Sequence, residues 1–179
     1  MRILAIDASL RSTGWAVAPA HHGLVKPPSD YRGAQRLNFI VRELARVAAP
    51  HDDSATSLQL DVAVIEGAAY LRTNRAYELG ELSGVVKLWL HSHGVPYVVV
   101  QPKRLKKYAT GNGNADKAAM VSAARDRLGY GGRSDDEADA LWLWHLAGEA
   151  FGLVASPHGE RSRVVDEVDW PRLASRVTG

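Results

Sequence analysis

Cysteine is absent from the chain, which has 179 residues. Its absence excludes disulfide bonds, catalysis by a thiolate, and zinc or iron–sulfur sites built from cysteine ligands. Histidine does not take its place as a metal ligand. The histidine residues show no grouping typical of a metal site, as far as the spacing of His21, His22, His91, His93 and His145 indicates.

Long apolar runs are also missing. Met1 leads directly into a short strand-like stretch, without the charged segment and apolar core of a signal peptide. No run reaches the ~20 apolar residues that a membrane-spanning helix needs. We therefore expect a soluble, cytoplasmic protein with no membrane segment.

The two signs of charge nearly balance. The formal net charge is +2, although the calculated isoelectric point is about 9.0. This small basic excess is compatible with nucleic-acid binding but does not by itself indicate it. With 46% hydrophobic and 23% charged residues, the chain can form one domain with a proper core. We expect that domain over residues 1–150, followed by a peripheral, charged and partly ordered tail over 151–179 with one helical turn near Trp170.

Short apolar segments alternate with stretches of helical periodicity. The runs 2–8 and 15–18 flank a Ser/Thr/Gly turn, which predicts an antiparallel hairpin. Buried strands are predicted over 61–66 and 97–100, where β-branched residues are frequent. Helical spacing of apolar residues predicts helices over 33–47, 75–93, 115–128 and 134–150. This order predicts an α/β fold, with a mixed β-sheet flanked by α-helices.

Two of the predicted strands end in an acid. Asp7 ends the first strand, and Glu66 follows the apolar residues of the strand over 61–66. A strand buried on both faces carries a carboxylate at little cost only where it emerges at the edge of the sheet. Either acid alone is as well explained by a strand end that turns into solvent. Two acids that end two core strands are less easily explained by chance.

A third acidic group opens the last predicted helix, in the sequence SDDEAD over residues 134–139. Ser134 and Glu137 have the spacing of a capping box, and acids in a first turn favour the helix dipole. These effects account for the first three acids without any function. Asp139 lies in the second turn among apolar residues, where a carboxylate is costly unless it is paired or binds a metal. Since Asp136 and Asp139 are three residues apart, both project from one face of the helix.

Converging carboxylates repel one another unless cations neutralise them. Oxygen-only ligands suit Mg²⁺, with Mn²⁺ able to substitute, and both ions bind phosphate oxygens. Two such ions about 4 Å apart can activate a water molecule and stabilise the leaving oxygen in a displacement at phosphorus. The acids therefore favour a metal-dependent phosphodiesterase with two ions in its active site.

Four segments of the chain, taken together and in order, resemble the RuvC-type Holliday junction resolvases. They are MRILAIDASLRSTGWAV over 1–17, DVAVIEGAAYLRTNRAYELGELSGVV over 61–86, GNGNADK over 111–117 and DDEADAL over 135–141. The resemblance implies a ribonuclease H-like fold and a homodimer that cuts four-way DNA junctions with symmetrical, ligatable nicks. It also implies four metal ligands, namely Asp7, Glu66, Asp136 and Asp139, and a lysine near the scissile phosphate, Lys117.

The chain departs from the family pattern in two loops. Asp7-Ala8-Ser9 stands where members commonly have Asp-Pro-Gly, and Tyr70 is the nearest aromatic residue where members usually have a phenylalanine near the junction crossover. Cleavage of a wider range of branched DNA, as in similar members encoded by phages, is therefore an alternative to strict junction resolution.

Basic residues cluster in two further places. Predicted DNA contacts, besides Tyr70, are Arg72, Arg75, Lys103, Arg104, Lys106 and Lys107. Lysine and arginine on loops beside the acids would track phosphates, and the less favoured alternative is that the run KRLKK over 103–107 is only a solvated helical turn. Leu88 and Trp89 form a second apolar stripe on the helix over 75–93. By default it packs on the core, and the resemblance implies a dimer contact there.

Three other classes of protein compete with this interpretation. The first is an actin-like or sugar-kinase-like ATPase, because residues 6–17 also resemble a phosphate-binding hairpin, but such proteins are usually much longer. The second is a non-catalytic DNA-binding relative, which retention of all four acids disfavours. The third is a ribonuclease H-like nuclease that acts on RNA–DNA hybrids or structured RNA. Its chemistry would be the same.

Overall fold

The computed structural model describes residues 1–49, 58–67, 76–159 and 162–173. Its strands are β1 (Ile3–Asp7), β2 (Thr13–Ala18), β3 (His21–Val25), β4 (Val62–Glu66) and β5 (Tyr97–Val100). Its helices are α1 (Gly33–Ala48), α2 (Ala76–Ser92), α3 (Pro102–Thr110), α4 (Lys117–Leu128), α5 (Asp135–Ala150) and α6 (Arg163–Asp166). Within the described ranges, no helix is long and apolar enough to cross a membrane.

The strands form one mixed sheet in the order β3-β2-β1-β4-β5. β1, β2 and β3 are joined antiparallel, as the predicted hairpin requires, whereas β1, β4 and β5 run parallel. The central strands β1 and β4 are buried on both faces, which explains their continuous apolar sequences. The prediction of a mixed sheet flanked by helices is confirmed.

Alternation along the central strands divides the interior into two cores. Ile3 and Ala5 of β1 face a first core, on the side of α3, α4 and α5, whereas Leu4 and Ile6 face a second core shared with α1 and α2. This is the period-two pattern of a strand buried on both faces. α5 lies across β1 and β2, and its residue Trp142 is fully buried against Tyr108 of α3.

The structure differs from the sequence-based expectation at three places. The sequence pattern does not predict β3, which extends the hairpin by one edge strand. The basic segment over 103–108 is part of a complete helix, α3, which begins at Pro102 and ends before the left-handed Gly111. The segment after residue 156 is not peripheral as expected, because Val164 and Val165 of α6 are buried in the first core. The domain boundary at residue 150 stays a prediction.

Candidate active site

Asp7 and Glu66 are brought together by strand pairing. They are the last residues of β1 and β4, two parallel strands that pair at Ile6 and Ile65, one residue earlier. Parallel strands bring their carboxyl ends to the same edge of a sheet. Asp7 lies two residues after Ala5, and Glu66 two residues after Val64, so both acids point to the first core's side, beneath α5.

α5 supplies the third acid. Carboxylate oxygens of Asp7, Glu66 and Asp139 lie within 4.8 Å of one another. Oδ1 of Asp139 is buried and has no hydrogen-bond partner among the described residues. A buried charged oxygen without a partner is costly, so this atom is one that a cation would satisfy.

Burial and mutual repulsion disfavour the ionised acids. Burial, followed by the charge of Glu66, holds the pKa of Asp7 well above its usual range. Burial raises the pKa of Glu66 to about 7, although the Asp7 carboxyl donates a hydrogen bond that opposes the rise. Burial, together with the charge of Asp7, raises the pKa of Asp139 to about 8. Without a cation, these acids share protons at neutral pH.

Asp136 lies beside this cluster, in the first turn of α5. Burial and the charge of Asp135 raise its pKa, while a hydrogen bond from Ser12 lowers it. The backbone at Asp136 lies directly against Gly14 of β2, where a Cβ atom would stand 1.9 Å from the Asp136 carbonyl oxygen. Gly14 is therefore required for the close approach of the helix to the strand.

The other two acids of the α5 N-terminus have different partners. Asp135 accepts a hydrogen bond from the Lys117 ammonium group, which raises the pKa of Lys117. Glu137 lies 2.9 Å from the Tyr130 hydroxyl and 2.8 Å from Nδ1 of His22. Ser134 caps the helix as predicted, but the Glu137 side chain does not complete a capping box, because the Ser134 N–H donates to the Tyr130 hydroxyl instead.

The basic residues of α3 divide into those near the acids and those paired elsewhere. The charge of Lys106 lowers the pKa values of Glu66 and Asp139, so Lys106 lies near the cluster. Lys107 and Arg104 instead lie 3.2 Å and 3.9 Å from the carboxylate oxygens of Glu167. Lys103 is exposed. Tyr70, Arg72 and Arg75 lie outside the described residues.

Sequence reasoning misses one lysine near the acids. Lys26 follows β3, and its charge lowers the pKa of Asp136. Strand register explains its place, because Val25 pairs with Thr13, so Lys26 lies next to Ser12, the residue that donates to Asp136. Only a prediction of β3 could have revealed this proximity.

These residues fit a divalent cation. The three carboxylates offer oxygen ligands only, which hard cations such as Mg²⁺ and Mn²⁺ prefer. Asp139 presents an unsatisfied buried oxygen, and the pKa values show that the ionised acids need a positive charge. Lys106 and Lys26 supply part of that charge from nearby, yet the pKa of Asp139 stays well above its usual range.

The raised pKa values predict an unusual pH dependence for the metal-free protein. The ordinary pKa values of Glu66 and Asp139 are 4.5 and 3.8, against about 7 and 8 in the fold. The folded state therefore binds more protons than the unfolded state, and stability falls as pH rises through this window. From about pH 7 to 9 in EDTA, we expect the free energy of unfolding to fall by at least ~1 kcal/mol in urea titrations, since one pKa unit is worth about that much.

The window starts near pH 7 because of His145. Partial burial lowers its pKa from 6.5 to about 4, so it contributes the opposite slope at lower pH. Excess Mg²⁺ should reduce the decrease, because the cation favours the ionised acids. Asp139→Asn should reduce it as well. A free energy of unfolding that is constant or rises between the two pH values would contradict the described burial of the acids.

Comparison with solved structures establishes the fold. The structure of Thermus thermophilus RuvC in complex with a Holliday junction substrate superposes with a TM-score of 0.66 at 24% identity, over 86% of this chain and 97% of that one. A second Thermus thermophilus RuvC structure gives a TM-score of 0.62 at 21% identity. No protein-family model matches the chain. The superposition shows that the chain has the ribonuclease H-like fold of RuvC, with three converging acids at the edge of its sheet.

Sequence comparison is more specific. The crossover junction endodeoxyribonuclease RuvC of Gloeobacter violaceus is 32% identical over 157 residues, which cover 82% of this chain and 90% of that protein. The RuvC protein of Anaeromyxobacter dehalogenans is 34% identical over 169 residues, with 89% and 88% covered. The chain belongs to the RuvC family of crossover junction endodeoxyribonucleases.

Proposed function

We propose that this protein resolves four-way DNA junctions by metal-dependent hydrolysis of phosphodiester bonds, and that it leaves symmetrical, ligatable nicks. The single observation that carries the proposal is the convergence of Asp7, Glu66 and Asp139, from two parallel strands and one helix, within 4.8 Å. Membership of the family of crossover junction endodeoxyribonucleases supports the choice of substrate. Further support comes from Thermus thermophilus RuvC, whose structure holds a Holliday junction substrate.

In this proposal the carboxylates of Asp7, Glu66, Asp136 and Asp139 hold Mg²⁺, or Mn²⁺ in its place, as two ions. When bound, such cations lower the pKa of a coordinated water and stabilise negative charge on the phosphate oxygens. The acids themselves fix the place of hydrolysis at the edge of the sheet, because they extend from β1, β4 and α5. Water adds to phosphorus, the bond from phosphorus to the 3′ oxygen breaks, and a 5′-phosphate and a 3′-hydroxyl result.

Lysines on both sides of the acids would bind and orient the DNA strand. Lys106 approaches the cluster from α3, and Lys117 approaches it from the start of α4 through its pairing with Asp135. We assign Lys117 to the neighbourhood of the scissile phosphate. Lys103 would contact phosphates from the exposed side of α3. Arg104 and Lys107 would leave their ion pairs with Glu167 and pair with DNA phosphates instead.

We also propose that the active protein is a homodimer, since a junction with twofold symmetry needs two active sites. α2 presents a suitable surface. Tyr77 is 77% exposed and Leu88 is 64% exposed, and both share one helical face with Gly80 and Gly84, where added Cβ atoms would meet no other atom within 4 Å. Trp89, the other residue of the expected stripe, is buried in the second core.

Leu88→Glu should therefore weaken the dimer. A buried charge at the centre of an interface costs at least ~2 kcal/mol, which corresponds to a roughly 30-fold higher dissociation constant. Sedimentation equilibrium measures this constant directly. Leu153→Glu, at an exposed leucine after the end of α5, is the matched control. Equal dissociation constants for wild type and Leu88→Glu would contradict a dimer built on α2.

The test of the function compares four DNA substrates, a four-way junction, a Y-fork, a flap and a linear duplex, at equal concentrations with Mg²⁺. Since the proposed enzyme recognises a four-way branch, we expect the junction to be cut at least ~10-fold faster than the others, a difference of about 1.4 kcal/mol in the barrier. Equal cleavage of junction, fork and flap would instead identify a broader branched-DNA nuclease. Binding without cleavage of any substrate would identify a non-catalytic relative.

A further inference from the structure

The acids at the start of α5 have different binding partners. Lys117 binds Asp135, which is therefore not counted here. Five other carboxylates lie in the first two turns of α5 and at the ends of β1 and β4. Four of the five are the proposed metal ligands. The fifth, Glu137, lies in the same helical turn as Asp136, yet it takes no part in the carboxylate cluster.

Glu137 has both of its oxygens occupied. Oε1 lies 2.8 Å from Nδ1 of His22, and Oε2 lies 2.9 Å from the Tyr130 hydroxyl. A carboxylate oxygen can only accept, so Nδ1 of His22 and the Tyr130 hydroxyl carry the protons of these two bonds. Glu137 thus joins three parts of the chain: α5, the edge strand β3 and the segment between α4 and α5.

The partners of Glu137 are themselves held in place. Tyr130 is 3% exposed, and its hydroxyl accepts the N–H of Ser134, the residue that caps α5. The rings of His22 and Tyr130 lie 5.7 Å apart, so they also contact each other. Gly132 lets the chain pass over the ring, because a Cβ atom there would lie 2.3 Å from the Tyr130 hydroxyl.

We propose that Glu137, His22 and Tyr130 form a clamp that positions the first turn of α5 and thereby sets the placement of Asp136 and Asp139. Helix ends fray, because their first N–H groups have no partner within the helix. Two proposed metal ligands lie in the first two turns of α5, so fraying there would separate them from Asp7 and Glu66. Glu137 lies between these two ligands in the sequence, and its hydrogen bonds to His22 and Tyr130 hold the first turn in place.

The inference rests on the proposed metal site and is tested by metal binding, measured without DNA. Free Mn²⁺ is followed by its electron paramagnetic resonance signal during titration of the protein. For Glu137→Ala we expect Mn²⁺ affinity to fall about 10-fold, the lower end of what loss of a group that orients ligands costs. Tyr130→Phe keeps the buried ring and removes the hydroxyl, and we expect a fall of about 3-fold to 10-fold on the same grounds.

Two further variants separate positioning from other effects. Glu137→Gln keeps an acceptor at one place and puts an N–H donor at the other. The other tautomer of His22, or the Tyr130 hydroxyl turned to the Ser134 carbonyl, can accept that N–H, so Mn²⁺ affinity should return to within about 3-fold of wild type. Glu43→Ala removes a carboxylate of α1 that lines the same surface cavity as Glu137, and it should bind Mn²⁺ as wild type does. In cleavage assays, the Mg²⁺ concentration for half-maximal rate should rise in Glu137→Ala while the rate at saturating Mg²⁺ changes little.

The outcomes distinguish the clamp from the proposed function. If wild type neither binds Mn²⁺ nor cuts junctions, the proposed function is wrong. If wild type does both, and Tyr130→Phe and Glu137→Ala bind Mn²⁺ as wild type does, only the clamp is wrong. An equal loss of affinity in Glu43→Ala would also overturn the clamp, because net charge alone would then explain the effect. Urea titration without metal shows which variants are folded, and Tyr130→Phe decides the question if Glu137→Ala is not.

Discussion

Asp7→Asn should abolish junction cleavage while making the metal-free protein more stable. Asp7 is 9% exposed, and burial, followed by the charges of Glu66 and Asp136, raises its pKa. In this buried cluster Asp7 must either take up a proton or carry a repelling charge, and an amide of the same shape needs neither, so the free energy of unfolding in EDTA should rise. The same change removes a proposed ligand. We expect cleavage to slow by a factor on the order of 10³, since a bound metal contributes several kcal/mol to the transition state.

Loss of cleavage together with higher stability excludes unfolding as the cause of inactivity. A variant that is inactive because it has unfolded cannot also have a higher free energy of unfolding. Single-turnover cleavage, junction binding in EDTA and urea titration measure the three quantities, and binding should stay close to that of wild type. Asp126→Asn, at an exposed carboxylate of α4, is the control and should leave all three unchanged. Cleavage by Asp7→Asn at the wild-type rate would contradict the assignment of Asp7.

Gly14→Ala should have the second largest effect, although glycine carries no chemistry. The added Cβ atom would stand 1.9 Å from the carbonyl oxygen of Asp136, a distance that no relaxation of a side chain can relieve. Either the first turn of α5 moves away from β2 or the strand moves. We expect a loss of ~1–3 kcal/mol in the free energy of unfolding, typical of overpacking, and a cleavage rate at least ~100-fold lower.

The control for this variant is Gly131→Ala. Gly131 lies in the segment that leads into α5, but a Cβ atom there meets no other atom within 4 Å. Both stability and cleavage should therefore stay close to wild type. Addition of Mn²⁺ distinguishes displacement from simple loss of stability. If Gly14→Ala is folded and binds Mn²⁺ with wild-type affinity, the close contact between β2 and α5 does not position the acids.

The parts of the site that sequence could predict are those that follow from local patterns. Asp7 and Glu66 end apolar strands, and parallel pairing of those strands brings them together. Asp139 stands out as an acid among buried residues of a helix, and the structure places it with the other two. Periodicity also predicts the long helices α1, α2, α4 and α5 to within a few residues, because apolar residues recur along each of them at helical spacing.

The parts that sequence could not predict depend on contacts between distant segments. β3 is a short edge strand with two histidines and a glycine, and nothing in its pattern alternates. The positions of Lys26 and His22 depend on that strand, so the sequence alone reveals neither. Glu137 has the spacing of half a capping box, but Tyr130, seven residues earlier, binds it instead. Val164 and Val165 lie in a charged segment, and only the packing of α6 against the core shows that they are buried.

The most direct test of the central claim is the identity of the cleavage products. A synthetic four-way junction with a label on each strand is incubated with the wild-type protein and Mg²⁺, and the products are then treated with DNA ligase. We predict paired nicks at symmetrical positions in two strands of like polarity, sealed completely by ligase, with no cleavage in EDTA. Cleavage that persists in EDTA, or nicks that are asymmetrical and cannot be sealed, would contradict a metal-dependent junction resolvase.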